Sequence, residues 1–235
     1  MNFLANLVTS LNLLSGFLAI IFSLESCFTL AGWAILLSLV LDGIDGQIAR
    51  LNPVPSPFGN QLDSLVDVVS FGIAPLILVF VFLYVDLQLK VIPLLFLYLI
   101  CGIIRLAKYN LLPKEKTANS FLGLPITISG GLIASFILFS SRLKMPVTCI
   151  LTILVVLISL VMVLFRVRYP NLNGIIQLFN YNKPIFIAII LISLTVLLIY
   201  FIFSSLFFPE AVILAFLLIY LIFSPFMLKL LPSEG

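Results

Sequence analysis

An all-α polytopic membrane protein of about eight transmembrane helices is what this sequence predicts, on three observations. The composition is too apolar for a water-facing surface, the apolar runs recur at bilayer length, and the connections are too short to hold a soluble domain. Of 235 residues, 63% are hydrophobic and 9% charged, against about 25% charged in an ordinary soluble domain. A hydrocarbon core of about 30 Å asks for about 20 apolar residues per helix. By that measure spans are expected near residues 4–24, 29–50, 64–84, 91–111, 121–141, 146–165, 184–203 and 209–230. Pro93, Pro125, Pro146, Pro184, Pro209 and Pro225 fall mostly near the ends of these runs, where a missing N–H costs little. The longest polar connections are 51–63, 112–120 and 166–183.

Each element then follows in order. The first run has no Lys or Arg before it and is followed by Glu25, a pattern that reads as a retained span rather than a cleaved signal. Orientation follows from the basic residues. With both termini on one side, that side holds Arg50, Arg105, Lys108, Lys114, Lys116, Arg166, Arg168, Lys183 and Lys229, and the other side holds Lys90, Arg142 and Lys144. This asymmetry puts the termini, and the segment around Arg50, on the cytoplasmic face of the cytoplasmic membrane.

Composition also excludes whole classes of chemistry. There is no His, so His-based zinc sites and Ser-His or Cys-His triads are ruled out. Cys27, Cys101 and Cys149 stand far apart in apolar surroundings, an odd set without CxxC spacing that reads as small buried residues. The net charge of +3 comes from basic residues placed singly between apolar blocks, so no nucleic-acid partner is expected.

Four of the nine acidic residues lie in one short stretch: Asp42, Asp45, Asp63 and Asp67. The first two are spaced i, i+3 and the last two i, i+4, so each pair shares a helix face. Pro53, Pro55 and Pro57 lie between the pairs and force a turn. An antiparallel return then brings the two faces together at the cytoplasmic ends of their helices. Four carboxylates at a membrane boundary repel one another, and burying one unpaired charge costs several kcal/mol. The nearby basic residue is Arg50. Divalent cations are the natural remedy, and an all-oxygen ligand set selects Mg²⁺, Mn²⁺ or Ca²⁺. Two such ions can hold a diphosphate and assist in-line displacement at phosphorus. Gly43, Gly46, Ala49 and Gly59 accompany the acids. Their small side chains either leave room for a nucleotide or let helices pack closely.

These residues resemble the signature of the CDP-alcohol phosphotransferase family, DxxDGxxAR-x8-GxxxDxxxD. Asp42, Asp45, Gly46, Ala49, Arg50, Gly59, Asp63 and Asp67 occupy every fixed position. The continuation Leu62–Leu76 (LDSLVDVVSFGIAPL) is similar to the phosphatidylserine-synthase branch of that family. So are Asn12–Ile20 (NLLSGFLAI), Arg105–Asn110 (RLAKYN), Phe121–Pro125 (FLGLP) and, more weakly, Arg168-Tyr169-Pro170. Lys108 and Thr127 stand where that branch carries Arg and Pro.

The resemblance implies a six-helix core over 1–183 with two additional C-terminal helices over 184–235, assembled as a homodimer in membrane lipid. It implies transfer of a phosphatidyl group from CDP-diacylglycerol to L-serine with release of CMP, using two divalent cations, Mg or Mn. Asp42, Asp45 and Asp63 would ligate metal, and Asp67 would complete the second metal site and act as general base. Asn12, Gly46, Ala49, Arg50 and Gly59 would line the CDP-lipid site, with Thr9 beside Asn12. Arg105 and Lys108, then Arg166 and Arg168, are candidates for the acceptor carboxylate. The same basic residues also suit positive-inside anchoring and headgroup contact. Transfer to glycerol phosphate, inositol phosphate or choline, or on an archaeal ether lipid, is the neighbouring alternative. A cation-coupled transporter is the alternative of another class. Against it stand the position of the acids at one face and the lack of a second copy of the motif.

Overall fold

The computed structural model describes residues 2–51, 56–111, 120–143, 150, 154–155, 157–158, 168–170 and 209–228. Seven α-helices are described in full: α1 (Asn2–Leu24), α2 (Phe28–Arg50), α3 (Pro57–Asp67), α4 (Ala74–Leu87), α5 (Ile92–Asn110), α6 (Ile126–Leu143) and α7 (Pro209–Leu228). A π-helical turn, Val68–Ile73, joins α3 to α4 without a break, and a short 3₁₀ turn, Gln88–Val91, leads into α5. Among the described residues four stretches are long and apolar enough to cross a bilayer: Phe3–Leu24, Phe28–Ala49, Pro57–Tyr84 and Gln88–Asn110. The chain is a polytopic helical membrane protein. Of the expected spans, 184–203 lies outside the described residues, as does 146–165 apart from helical residues at 150, 154–155 and 157–158.

One short β pair accompanies the described helices: β1 (Ser120–Leu122) pairs antiparallel with β2 (Arg168–Pro170), Phe121 opposite Tyr169. Two expected span boundaries need correction. The fifth span begins at Ile126 rather than 121, because Gly123 turns the chain at φ 72° and Pro125 opens the helix by accepting from the Ser129 amide at 3.1 Å. The extended residues before that start have no helical hydrogen bonds of their own. Pairing with a second extended segment satisfies them, which backbone near a bilayer requires. The third span starts earlier than expected, at Pro57. Ser56 caps it by accepting from the Gly59 amide at 3.2 Å, with proline at the first helical position.

The core is built where α1, α2, the π turn, α4 and α6 meet. Ala19, Ala31, Ile35, Phe71, Ala74, Leu78, Leu83, Leu132 and Ile137 are buried together there. Lipid offers no hydrophobic drive between helices, so small residues and hydroxyls carry the association. Ser15 donates to the Ala34 carbonyl at 2.8 Å, and Ser38 and Ser70 both donate to the Asn12 carbonyl, at 3.2 and 3.3 Å. One carbonyl of α1 thus ties together α2 and the π turn. At Gly16 and Gly130 the backbones come so close that a side chain has no room. A Cβ at Gly16 would lie 2.8 Å from Ser70 Cα, and one at Gly130 would lie 3.1 Å from Phe71 Cα and carbonyl oxygen. The outward faces carry exposed residues such as Phe3, Leu14, Phe17, Leu37, Phe96 and Phe216, the pattern of a surface facing acyl chains.

Candidate active site

The acidic residues enter the site on two neighbouring elements. Asp42 and Asp45 lie on the last turns of α2, and Asp63 and Asp67 lie on α3. The Ser56 cap fixes where α3 begins and therefore which face carries its acids. Asp42, Asp63 and Asp67 each present one carboxylate oxygen to a common space, all three within 4.8 Å of one another. Opposed oxygens around one Mg²⁺ stand about 4.2 Å apart and around Ca²⁺ about 5 Å, so the triad has the span that one hard cation needs. Asp45 is not in that triad. It is 2% exposed, among the described residues neither of its oxygens has a hydrogen-bond partner, and Thr9 of α1 is the polar side chain acting most on it. One oxygen of Asp67 is also buried and without a partner.

Asn12 is fully buried beneath this group, and among the described residues its amide oxygen and nitrogen both lack partners. Orphaned polar groups of this kind are rare in folded proteins and each costs about 1–3 kcal/mol. Gathered here on Asn12, Asp45 and Asp67, they describe a place built for a polar ligand. The glycines of α2 agree. A Cβ added at Gly43 or Gly46 meets nothing within 4 Å, so among the described residues no helix packs against them. Their small size leaves open space beside the acids. Gly59 differs, since a Cβ there would lie 3.3 Å from Asn6 Oδ1, and its role in the structure is close approach to α1. Ala49 is exposed near the end of α2, and Arg50 is its last residue. The Arg50 side chain lies outside the described part.

The basic candidates separate sharply. Arg105 on α5 is 4% exposed, its guanidinium carbon is 5.4 Å from the Tyr109 ring centroid, and among the described residues its Nε has no hydrogen-bond partner. Asp67 and Tyr220 of α7 both lie within electrostatic reach of it. The end of α5 is tied to α3 by Asn110 Nδ2 donating to Ser64 Oγ at 2.9 Å. Lys108, one turn on, is exposed. Arg166 lies outside the described residues, and Arg168 is placed in β2 but its side chain is not described. Sequence reading missed Tyr98, Ser129 and Tyr220. The signal for the first two was Pro75, an internal proline that removes a backbone donor in mid-span.

A triad of carboxylates from two helices, orphaned polar groups around it and an open floor of glycines fit a divalent cation and a phosphorylated ligand. Residues 2–165 match the family model described as CDP-alcohol phosphatidyltransferase. The chain belongs to the CDP-alcohol phosphatidyltransferase family. Among its relatives is a CDP-diacylglycerol–serine O-phosphatidyltransferase of Helicobacter pylori, 30% identical over 189 residues, covering 79% of this chain and 78% of that protein. A protein of the same description from Methanocaldococcus jannaschii is 35% identical over 192 residues, 81% of each chain. An archaetidylserine synthase of Methanothermobacter thermautotrophicus is 33% identical over 177 residues, 73% of this chain and 71% of its own. The family match ends before α7, so the helix that brings Tyr220 near Arg105 lies beyond the matched residues.

Proposed function

We propose that this chain is an integral membrane phosphatidyltransferase that forms phosphatidylserine and CMP from CDP-diacylglycerol and L-serine. The observation that carries the reading is the meeting of Asp42, Asp63 and Asp67 within 4.8 Å, beside glycines, Gly43 and Gly46, that no described residue packs against. The relatives that cover most of the chain support serine as the acceptor.

Asp42, Asp45, Asp63 and Asp67 would hold two divalent metals between them, with Asp42, Asp63 and Asp67 around their shared space and Asp45 beside it. When bound, a pair of Mg²⁺ or Mn²⁺ ions supplies positive charge to the diphosphate and to the leaving CMP. The protein groups do the rest. Asn12, Gly46, Ala49, Arg50 and Gly59 line the nucleotide end, and the acyl chains stay in lipid. Asp67 takes the proton from the serine hydroxyl as that oxygen bonds to the phosphorus carrying diacylglycerol, and the bond from that phosphorus to CMP breaks. Arg105, buried beside Asp67, receives the serine carboxylate, with Lys108 and then Arg166 and Arg168 as outer cationic partners. The wider arrangement is a homodimer with both termini and the site on the cytoplasmic side. Its six-helix core over 1–183 is followed by two further helices over 184–235, eight spans in all.

The test is CMP release by purified protein given CDP-diacylglycerol, Mn²⁺ and, in separate reactions, L-serine, glycerol 3-phosphate, inositol 3-phosphate or choline. Serine is expected to be the acceptor used, and release driven by another alcohol alone overturns that assignment. The archaetidylserine synthase relative supports a second reading, in which an ether CDP-lipid is the donor. Running the serine reaction with ester and ether donors separates the two.

A further inference from the structure

Asp67 is the last residue of α3, and the next six residues form the π-helical turn. The Ala74 amide bonds back five residues to the Val69 carbonyl rather than four. The reason lies one residue further on. In an α-helix the Phe71 carbonyl would accept from residue 75, but Pro75 has no N–H. A buried carbonyl without a donor needs another partner. Tyr98 of α5 supplies it, donating from its hydroxyl to the Phe71 carbonyl at 2.7 Å. Tyr98 is 1% exposed, and Ser129 Oγ lies 3.1 Å from its hydroxyl oxygen while donating to the Ile126 carbonyl at 2.7 Å.

The turn is gripped from other sides as well. Ser70 donates to the Asn12 carbonyl at 3.3 Å, Gly16 of α1 closes on Ser70, and Gly130 of α6 closes on Phe71. π turns are rare and concentrate at functional sites. A π turn takes one more residue per turn than the α-helix, so removing it would rotate α3 relative to α4 by about 100°. The acids of α3 would then leave the space they share with Asp42. We propose that Tyr98 is a positioning residue whose hydroxyl, by occupying the Phe71 carbonyl, holds the π turn that aims Asp63 and Asp67 at Asp42. The inference rests on the reading of Asp67 as metal ligand and base.

The experiment uses the full chain in detergent and compares Tyr98→Phe, Ser129→Ala, Pro75→Ala and Asp67→Asn. The readouts are kcat, KM for CDP-diacylglycerol, melting temperature, and the Mn²⁺ concentration giving half-maximal thermal stabilisation. Tyr98→Phe keeps the ring and should lower kcat by about ten- to a hundredfold, leave KM within about twofold, and shift the Mn²⁺ half-point several-fold upward. Ser129→Ala should leave all of these near wild type. Pro75→Ala gives Phe71 a competing N–H, so the turn should relax, with kcat and Mn²⁺ response lost and melting temperature kept. A Tyr98→Phe protein with wild-type kcat and Mn²⁺ response overturns the proposal, as does one that loses only melting temperature. If Tyr98→Phe does not fold, a Pro75→Ala protein with unchanged kcat and Mn²⁺ response overturns it equally. Asp67→Asn with wild-type turnover would instead condemn the reading of Asp67. An inactive Asp67→Asn beside a wild-type-like Tyr98→Phe condemns only the role given to Tyr98.

Discussion

At the residue scale the informative groups are those that the fold leaves without partners. Asn12 is fully buried, and among the described residues its amide has no partner, an arrangement that costs stability unless a ligand meets it. Replacing an orphaned polar group with an apolar one of similar shape is neutral or stabilising. Asn12→Leu should therefore melt no lower than wild type while its KM for CDP-diacylglycerol rises, and thermal melts beside steady-state kinetics check both halves. Gly46 leads to a similar split. A Cβ there meets nothing within 4 Å, and glycine in a helix interior costs about 1 kcal/mol relative to alanine. Gly46→Val should fold at least as well as wild type but bind CDP-lipid more weakly by about tenfold or more, as lost space in a polar pocket warrants. A Gly46→Val enzyme with unchanged KM would remove Gly46 from the nucleotide site.

At the scale of elements, the π turn and its neighbours decide how the acidic helix is held. α6 crosses it at Gly130, where a Cβ would lie 3.0 Å from Phe71 Cβ and 3.1 Å from its carbonyl oxygen. Both neighbours are too confined to yield, so Gly130→Val should destabilise the protein by about 1–3 kcal/mol through overpacking, read as a lower melting temperature in detergent. The α3 start is set by Ser56, whose side chain accepts from Gly59. Here the sequence was legible in part. Proline-rich spacing announced a turn between the acid pairs, and the helical offsets put each pair on one face. The cap at Ser56 followed the familiar order of hydroxyl residue then proline, yet the span was expected to begin at 64 because apolarity alone marks bilayer depth. The helix begins seven residues earlier, since hydrogen bonding rather than hydropathy ends a helix.

At the scale of the whole molecule, three carboxylates brought within 4.8 Å of one another place a repulsion on the folded chain that a divalent cation relieves. Binding to the folded state alone adds about 2.7 kcal/mol at a hundred times the dissociation constant. Mn²⁺ should therefore raise the melting temperature of chelator-treated protein, and Asp42→Asn should blunt that rise. An unchanged melting curve across a Mn²⁺ titration would contradict the metal assignment. α7 belongs to this scale as well. Leu214 and Leu217 are buried within the core cluster, and Leu217 lies 3.4 Å from where a Gly131 Cβ would sit. The helix packs against α6 and β2, so it is part of the bundle and not a free appendage. Leu217→Ala should lower stability by about 2 kcal/mol or more, and a melt unchanged within error would show that α7 is only loosely attached.

What the sequence determined by itself was the solvent, the helical class and the chemical kind of the site. Those depend on composition and on spacings within one helix, such as Asp42 to Asp45 and Asp63 to Asp67, which local geometry converts directly into shared faces. The tertiary structure decided which candidates meet. It separated Asp45 from the triad, buried Arg105 beside Asp67 while leaving Lys108 exposed, paired Ser120–Leu122 with Arg168–Pro170, and set Tyr98 against the Phe71 carbonyl. These outcomes involve residues distant in sequence, and each depends on how helices rotate and cross, a property of the packed bundle that no single segment contains.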